Sequence, residues 1–170
     1  MSAITWMHFP QSHLPSKECV SIIDAFKSEF SKFNSKKNKL NSNNVLSVIE
    51  PALKSAGFKV EASKKADDKI AVPVLFGRDG KVHKTFNVDA YHPIGKLVLE
   101  VEAGRAVVNN QFLKDFFEAC MMQDVDYVVI AVRNDYRGNN DFEAVCAFFE
   151  ALYASQRMIL PLKGVTLIGY

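Results

Sequence analysis

The run Tyr127-Val128-Val129-Ile130-Ala131-Val132 restricts the fold more than any other stretch of the chain. A continuous apolar segment of this length, rich in β-branched residues, has no polar face to turn to water. It reads as a central strand covered on both sides. Helical patterns flank it, over about 109–122 before and about 141–155 after, and a last strand is expected at about 165–168.

Earlier in the chain, Val20, Ile23, Phe26, Phe30 and Phe33 recur at helical spacing behind Ser16, a capping residue, which predicts a helix over about 16–33. Val45, Leu46, Ile49, Leu53 and Ala56 predict a second helix over about 42–56, with Gly57 where a left-handed cap is expected. The Asn-, Ser- and Lys-rich segment 34–44 reads as their connection. Strand signals follow at 58–61, 70–76, 82–91 and 97–102. Pro73 marks an edge strand, and Asp79-Gly80 is a hairpin-turn pair. Hairpins come first and crossover helices later, so the expected class is α/β, a mixed central sheet flanked by helices. The length of 170 residues suits one domain with one core, with residues 1 to about 41 as an N-terminal helical extension.

Composition excludes several alternatives. With 48% hydrophobic and 24% charged residues, the chain is neither disordered nor fibrous. Cys19, Cys120 and Cys146 are odd in number, far apart and without a Cys-x-x-Cys pattern, which excludes a zinc site and a disulfide framework and predicts a reducing, cytoplasmic compartment. The start Met1-Ser2-Ala3-Ile4-Thr5-Trp6 lacks a basic segment followed by an apolar run, so no secretory signal is expected. No stretch approaches the roughly 18 apolar residues of a membrane span, so no membrane partner is expected. The net charge of +2 carries no message about nucleic acid, but Lys32, Lys36, Lys37 and Lys39 fall in a stretch without acids. Such a cluster can meet phosphates or simply solvate a helix end.

The segment from Phe86 to Glu102 holds the candidate chemistry. If His92 to Gly95 form a four-residue loop, Tyr91 pairs with Lys96 and Asp89 with Val98. Alternation then places Asp89, Val98, Glu100 and Glu102 on one face and Leu97, Leu99 and Val101 on the other. Asp89 and Glu100 become diagonal neighbours, with Cβ atoms roughly 7 Å apart. Strands are poor hosts for acids. Carboxylates about 6 Å apart repel by roughly 3 kcal/mol at an effective dielectric near 20. A hard divalent cation, Mg²⁺ or Mn²⁺, would turn that repulsion into ligation. The plain alternative is the solvated end of an amphipathic strand.

These residues resemble the PD-(D/E)xK nuclease superfamily, in which an acid on one strand meets an acid and a lysine two residues apart on the next. Val88-Asp89 followed by Leu97-Val98-Leu99-Glu100-Val101-Glu102 carries the likeness, and the elements from about 42 to 132 match the superfamily core of helix, strand meander, helix, strand. Glu102 stands in the lysine position, as in restriction enzymes of the BamHI and BglII type. Val88 replaces the proline that names the motif. The resemblance implies a restriction endonuclease-like domain and a Mg²⁺- or Mn²⁺-dependent DNA endonuclease. In that reading Asp89, Glu100 and the Val101 carbonyl hold metal, and Glu102 serves as a general base or a second ligand. It also marks Glu50, on the helix before the strands, as a further catalytic candidate. A nuclease that makes double-strand cuts is expected to be a homodimer. The alternative is a catalytically inactive nucleic-acid-binding or assembly protein on the same fold.

Arg105, directly after the acids, and Lys114, near the start of the next helix, are candidate phosphate contacts, as are Arg133 and Arg137 in the loop after the central strand. Asn109 and Asn110 fit a helix cap. No Walker or Gly-x-Gly-x-x-Gly loop is present, and no pair of histidines has ligand spacing.

Overall fold

A computed structural model describes residues 4–62 and 68–170. The central apolar run is β7 (Tyr127–Val132), inside a six-stranded sheet with the order β1 (Thr5–Phe9), β8 (Gly164–Gly169), β7, β6 (Leu97–Glu102), β5 (Ala90–His92) and β2 (Lys59–Val60). Strands β6, β7 and β8 run parallel, while β1, β5 and β2 are antiparallel to their neighbours, so the sheet is mixed as expected. Helices α1 (Lys17–Phe33) and α2 (Ser42–Ser55) cover one face, and α3 (Gln111–Met121) and α4 (Asp141–Ser155) cover the other. Val128, Ile130 and Val132 belong to the core under α3 and α4, whereas Val129 and Ala131 belong to the core under α1 and α2. Among the described residues, no helix is long and apolar enough to cross a membrane.

Local chemistry sets the helix ends. The Ser16 side chain accepts the Cys19 N–H and caps α1, and the Asn41 side chain accepts the Asn44 N–H and caps α2. Gly57 follows α2 with φ +94, the left-handed conformation expected there. The buried stripe of α1 is Cys19, Ile22, Ile23, Phe26 and Phe33; Val20 is exposed. Phe26 and Phe33 pack against Tyr170, with ring centroids 5.8 and 5.6 Å away, so the end of the chain closes this core.

Three expectations change. The N-terminal segment is not a helical extension: it opens with β1, an edge strand paired with β8, and α1 forms part of the main core. The predicted strand over 82–91 breaks at Asp89 into β4 (Val82–Val88), which pairs with β3 (Ile70–Phe76) in a separate two-stranded ribbon, and β5, which pairs with β6. The turn between β5 and β6 spans Pro93 to Lys96 rather than His92 to Gly95. Ala90 pairs with Leu99, Tyr91 with Val98 and His92 with Leu97, a shift of two residues. A two-residue shift preserves the facing of every side chain, since the strand period is two. Continuing this register sets Asp89 opposite Glu100 rather than diagonal to it.

Gly104 joins the end of β6 to the segment that leads into α3, and it lies under the loop after β7. Its φ is +121, and a Cβ there would lie 2.3 Å from a ring carbon of Tyr136. Both the dihedral and the contact exclude a side chain. Gly104→Ala is therefore expected to lower stability by about 2–4 kcal/mol, seen as a reduced urea midpoint. A variant with an unchanged midpoint would show that the loop yields without cost.

Candidate metal centre

Asp89, at the break between β4 and β5, is held by its neighbour strand: its Oδ2 accepts the Val101 N–H at 2.7 Å. Glu100 and Glu102 project from β6 on the same side as Val98, while Leu97, Leu99 and Val101 are buried in the opposite core. The facing read from alternation is thus the facing in the structure. All three acids line one cleft of about 260 Å³, and Val101 lies in its wall between them.

Helix α3 supplies the opposite wall. Its apolar stripe, Phe112, Phe116 and Ala119, is interrupted by Asp115, which is 5% exposed. Asp115 meets Glu102 across the cleft. Lys114 and Glu118 enter from the same helix, with Lys114 Nζ 3.3 Å from Glu118 Oε1 and 4.0 Å from Asp115 Oδ1. Glu61 and Lys69 close the cleft from the β2 side and the base of the ribbon. It opens into a second hollow of about 440 Å³, walled by β4 residues Lys84 to Val88.

Crowding controls the charge state of these acids. Burial, followed by the field of Asp89, drives the Glu100 carboxyl well above its ordinary range. Burial likewise lifts Asp89 to about 7 against the relief of the Val101 hydrogen bond, with Glu61 and Asp115 adding to the rise. Glu102 is pushed to about 8 by burial and by Asp115, and Asp115 to about 6 by burial. The buried Oδ2 of Asp115 meets no N–H or hydroxyl donor. The side chains of Glu102 and Asp115 are in hydrogen-bond contact, an arrangement that favours a proton on one of the two carboxyls. Burial pulls the Lys114 ammonium down, but Glu118 and Asp115 outweigh it and hold the ammonium above its usual value.

Among the described residues, no three His, Cys, Asp or Glu side chains converge into a complete ligand set. Glu102 is engaged by Asp115 and Asp89 by Glu61 and the Val101 N–H, while Asp89 and Glu100 face each other across the neighbouring strands. Two carboxylates still fit a hard cation. Mg²⁺ characteristically takes one or two carboxylates and keeps several waters.

The other candidates separate. Lys114 is in the cleft. Glu50 is not brought to it: it lies two turns along α2 from Ser42 and Asn43, which do line the cleft, and its Oε1 is bound by Lys54 Nζ at 2.6 Å. Arg105 is exposed and is not among the described residues lining the cleft. Arg133 and Arg137 lie together elsewhere, in a cavity beyond the end of β7. Asn110 precedes α3 with φ +51 and makes no side-chain cap, so the expected capping role is not met. Sequence reading missed Asp115, although a charged residue at a core position of an amphipathic helix was a signal for it. The cysteines are free, Cys19 and Cys146 buried and Cys120 partly so, and burial pushes the thiols of Cys120 and Cys146 up to about 11 and about 12. No protein-family model matches the chain, and no curated protein matches it.

Proposed function

We propose that the chain is a divalent-metal-dependent nuclease with a restriction endonuclease-like core, hydrolysing phosphodiester bonds in DNA. The observation that carries this reading is the meeting, in one cleft, of Asp89 and Glu100 from facing strands with Glu102 beside them and Lys114 opposite. The order α2, strands β2 to β6, α3, β7 supports the same core.

Asp89, Glu100 and the Val101 carbonyl would hold Mg²⁺ or Mn²⁺. Bound there, the cation would supply charge neutralisation at the phosphate and a lowered pKa for attacking water. The protein's own residues do the rest. The Val101 N–H fixes one oxygen of the Asp89 carboxylate at the cleft, where Glu61 also meets this side chain. Burial and Asp115 raise Glu102 to about 8, near neutral pH, which suits a group that takes a proton from water. Lys114 restores the cation that β6 lacks, since Glu102 stands where the superfamily pattern has lysine. Two strands cut together require two such sites, so a homodimer is proposed for double-strand cleavage.

The engagement of Glu102 by Asp115 favours one competing reading, a nucleic-acid-binding or assembly protein that has lost the chemistry. Supercoiled plasmid, single-stranded DNA and RNA incubated with Mg²⁺, Mn²⁺ or EDTA separate the two. A nuclease nicks at least one of them with metal, stops in EDTA, and is silenced by Asp89→Asn and Glu100→Gln. Binding without cleavage under both metals would establish the competing reading.

A further inference from the structure

A second cavity, of about 530 Å³, lies at the end of the sheet between the loop that joins α1 to α2 and the loop that joins β7 to α4. Its charged lining is Lys36, Lys39, Arg133 and Arg137, with Asp135 as the one carboxylate among the described residues. Among those residues, none of the four cations is in an ion pair within 4.0 Å. Asp135 is occupied, since its Oδ1 accepts the Gly138 N–H at 3.1 Å. Asp141 feels the Arg133 charge but is not among the described residues lining the cavity.

The two arginines are held in place, and the loops that carry the lysines are tied to them. Arg133 is 8% exposed, and its Nη2 donates to the Leu40 carbonyl, which ties β7 to the α1–α2 loop. Ser35 Oγ donates to the Tyr170 carbonyl and accepts the Asp135 N–H at 3.1 Å, tying the same two loops a second time. Tyr136 and Asn139 exchange both backbone hydrogen bonds, at 2.9 and 3.0 Å, around Arg137 and Gly138, whose φ values of +53 and +83 describe a tight two-residue turn. Both guanidiniums lie against the Tyr136 ring, Arg133 at 5.7 Å and Arg137 at 5.3 Å from its centroid. Like charges gathered in a concave site repel unless an anion joins them, and a cavity of this volume is in the range of small-molecule sites.

We propose that this cavity binds a terminal phosphate, the phosphomonoester of a nucleotide or of a nucleic-acid strand end. The charge decides for a monoester. A diester linkage brings a single negative charge, whereas a monoester brings about 1.5 to 2 at neutral pH and three acceptor oxygens, a better match to four cations and one engaged carboxylate. The site is separate from the acidic cleft, and the inference does not require that the cleft cuts anything.

The test is run in EDTA, so that the metal-dependent reading is not involved. Fluorescence anisotropy compares one labelled oligonucleotide carrying a 5′-phosphate, a 3′-phosphate or hydroxyls at both ends. Calorimetry measures nucleoside 5′-monophosphate and inorganic phosphate. A phosphorylated end is expected to bind at least about tenfold tighter than the hydroxyl form. Arg137→Gln and Lys39→Gln, both at exposed positions, should remove that preference with unchanged melting, whereas Asp89→Asn should keep it. Free nucleotide binding as tightly as the oligonucleotide assigns the site to nucleotides, and tighter oligonucleotide binding assigns it to strand ends. Equal affinity for phosphorylated and hydroxyl ends together with no nucleotide or phosphate binding, or a preference that survives both substitutions together, overturns the proposal.

Discussion

On the proposed nuclease reading, Asp89→Asn and Glu100→Gln are each expected to slow phosphodiester cleavage by at least about 10³-fold, equivalent to about 4 kcal/mol of barrier, yet to melt higher than the wild type in EDTA. The two effects have one cause. Each carboxyl is held above its ordinary pKa by burial and by neighbouring acids, so its ionised form destabilises the fold. An amide of the same shape removes the charge, and the amide oxygen that Asp89→Asn introduces would still accept the Val101 N–H. A gain of about 1–3 kcal/mol is expected, which is about 3–8 °C for a chain of this size. If the cleft holds Mg²⁺ as proposed, saturating metal is expected to reverse the order. At a hundred times its Kd, a cation stabilises the wild type by about 2.7 kcal/mol and gives the variants little. Calorimetry with and without Mg²⁺, run beside a cleavage assay, measures both halves. Activity lost together with a lowered melting temperature would mean that the carboxyls are structural, and the metal-centre reading would fall.

The facing of the acids was legible because alternation depends only on parity. Leu97, Leu99 and Val101 against Val98, Glu100 and Glu102 needed no knowledge of the turn, and an error of two residues in register left every side chain on its side. The register itself depends on the turn that spans Pro93 to Lys96, where Lys96 adopts φ +49, a conformation that nothing in a lysine announces. The break at Asp89 was hidden for a similar reason. The alternating run from Val82 to Tyr91 is continuous in pattern, and its division between ribbon and sheet is decided by where β3 ends up, a long-range matter. The strand β1 was lost because its five residues begin exposed and are buried only at His8 and Phe9, too little signal for a half-covered edge. Asp115 carries the opposite lesson: its anomaly was local and readable, and its partner Glu102 lies on another element.

Geometry also changes how the acids coexist. Repulsion among them does not by itself demand a cation, since protons relieve it too. Burial and mutual repulsion raise the proton affinity of all four, Glu102 and Asp115 in hydrogen-bond contact with each other and Asp89 and Glu100 across the facing strands. On the proposed reading, a cation and a proton compete for the same cleft, and pH sets which one prevails.

That competition gives the metal-free protein a stability that falls as pH rises. In the unfolded chain the four carboxyls release their protons near pH 4. In the fold, Asp115 holds on to about 6, Asp89 to about 7 and Glu102 to about 8, with Glu100 also well above its ordinary value. Between about pH 4 and pH 8 the folded state thus binds more protons than the unfolded state, and stability is full below this window and lost across it. Glu61 and Glu118 steepen the loss by adding negative charge, while Lys114 moderates it. His8, whose pKa is lowered by burial, contributes in the opposite sense, as a single group. One net proton corresponds to about 1.4 kcal/mol per pH unit, or about 3–5 °C in melting temperature per unit for a chain of this length. Because more than one proton is involved over most of this range, melting in EDTA is expected to drop by at least about 10 °C from about pH 5 to pH 8. Millimolar Mg²⁺ should flatten the upper part of the curve, because ionised carboxylates then meet a cation instead of each other. The double variant Asp89→Asn, Glu100→Gln should show the shallower slope left by Glu102 and Asp115 alone, with no response to Mg²⁺. A wild-type melting temperature in EDTA that is level or rises across the same range would mean that the four carboxyls stand apart in solution, and neither protons nor a cation would then be needed to hold the cleft together.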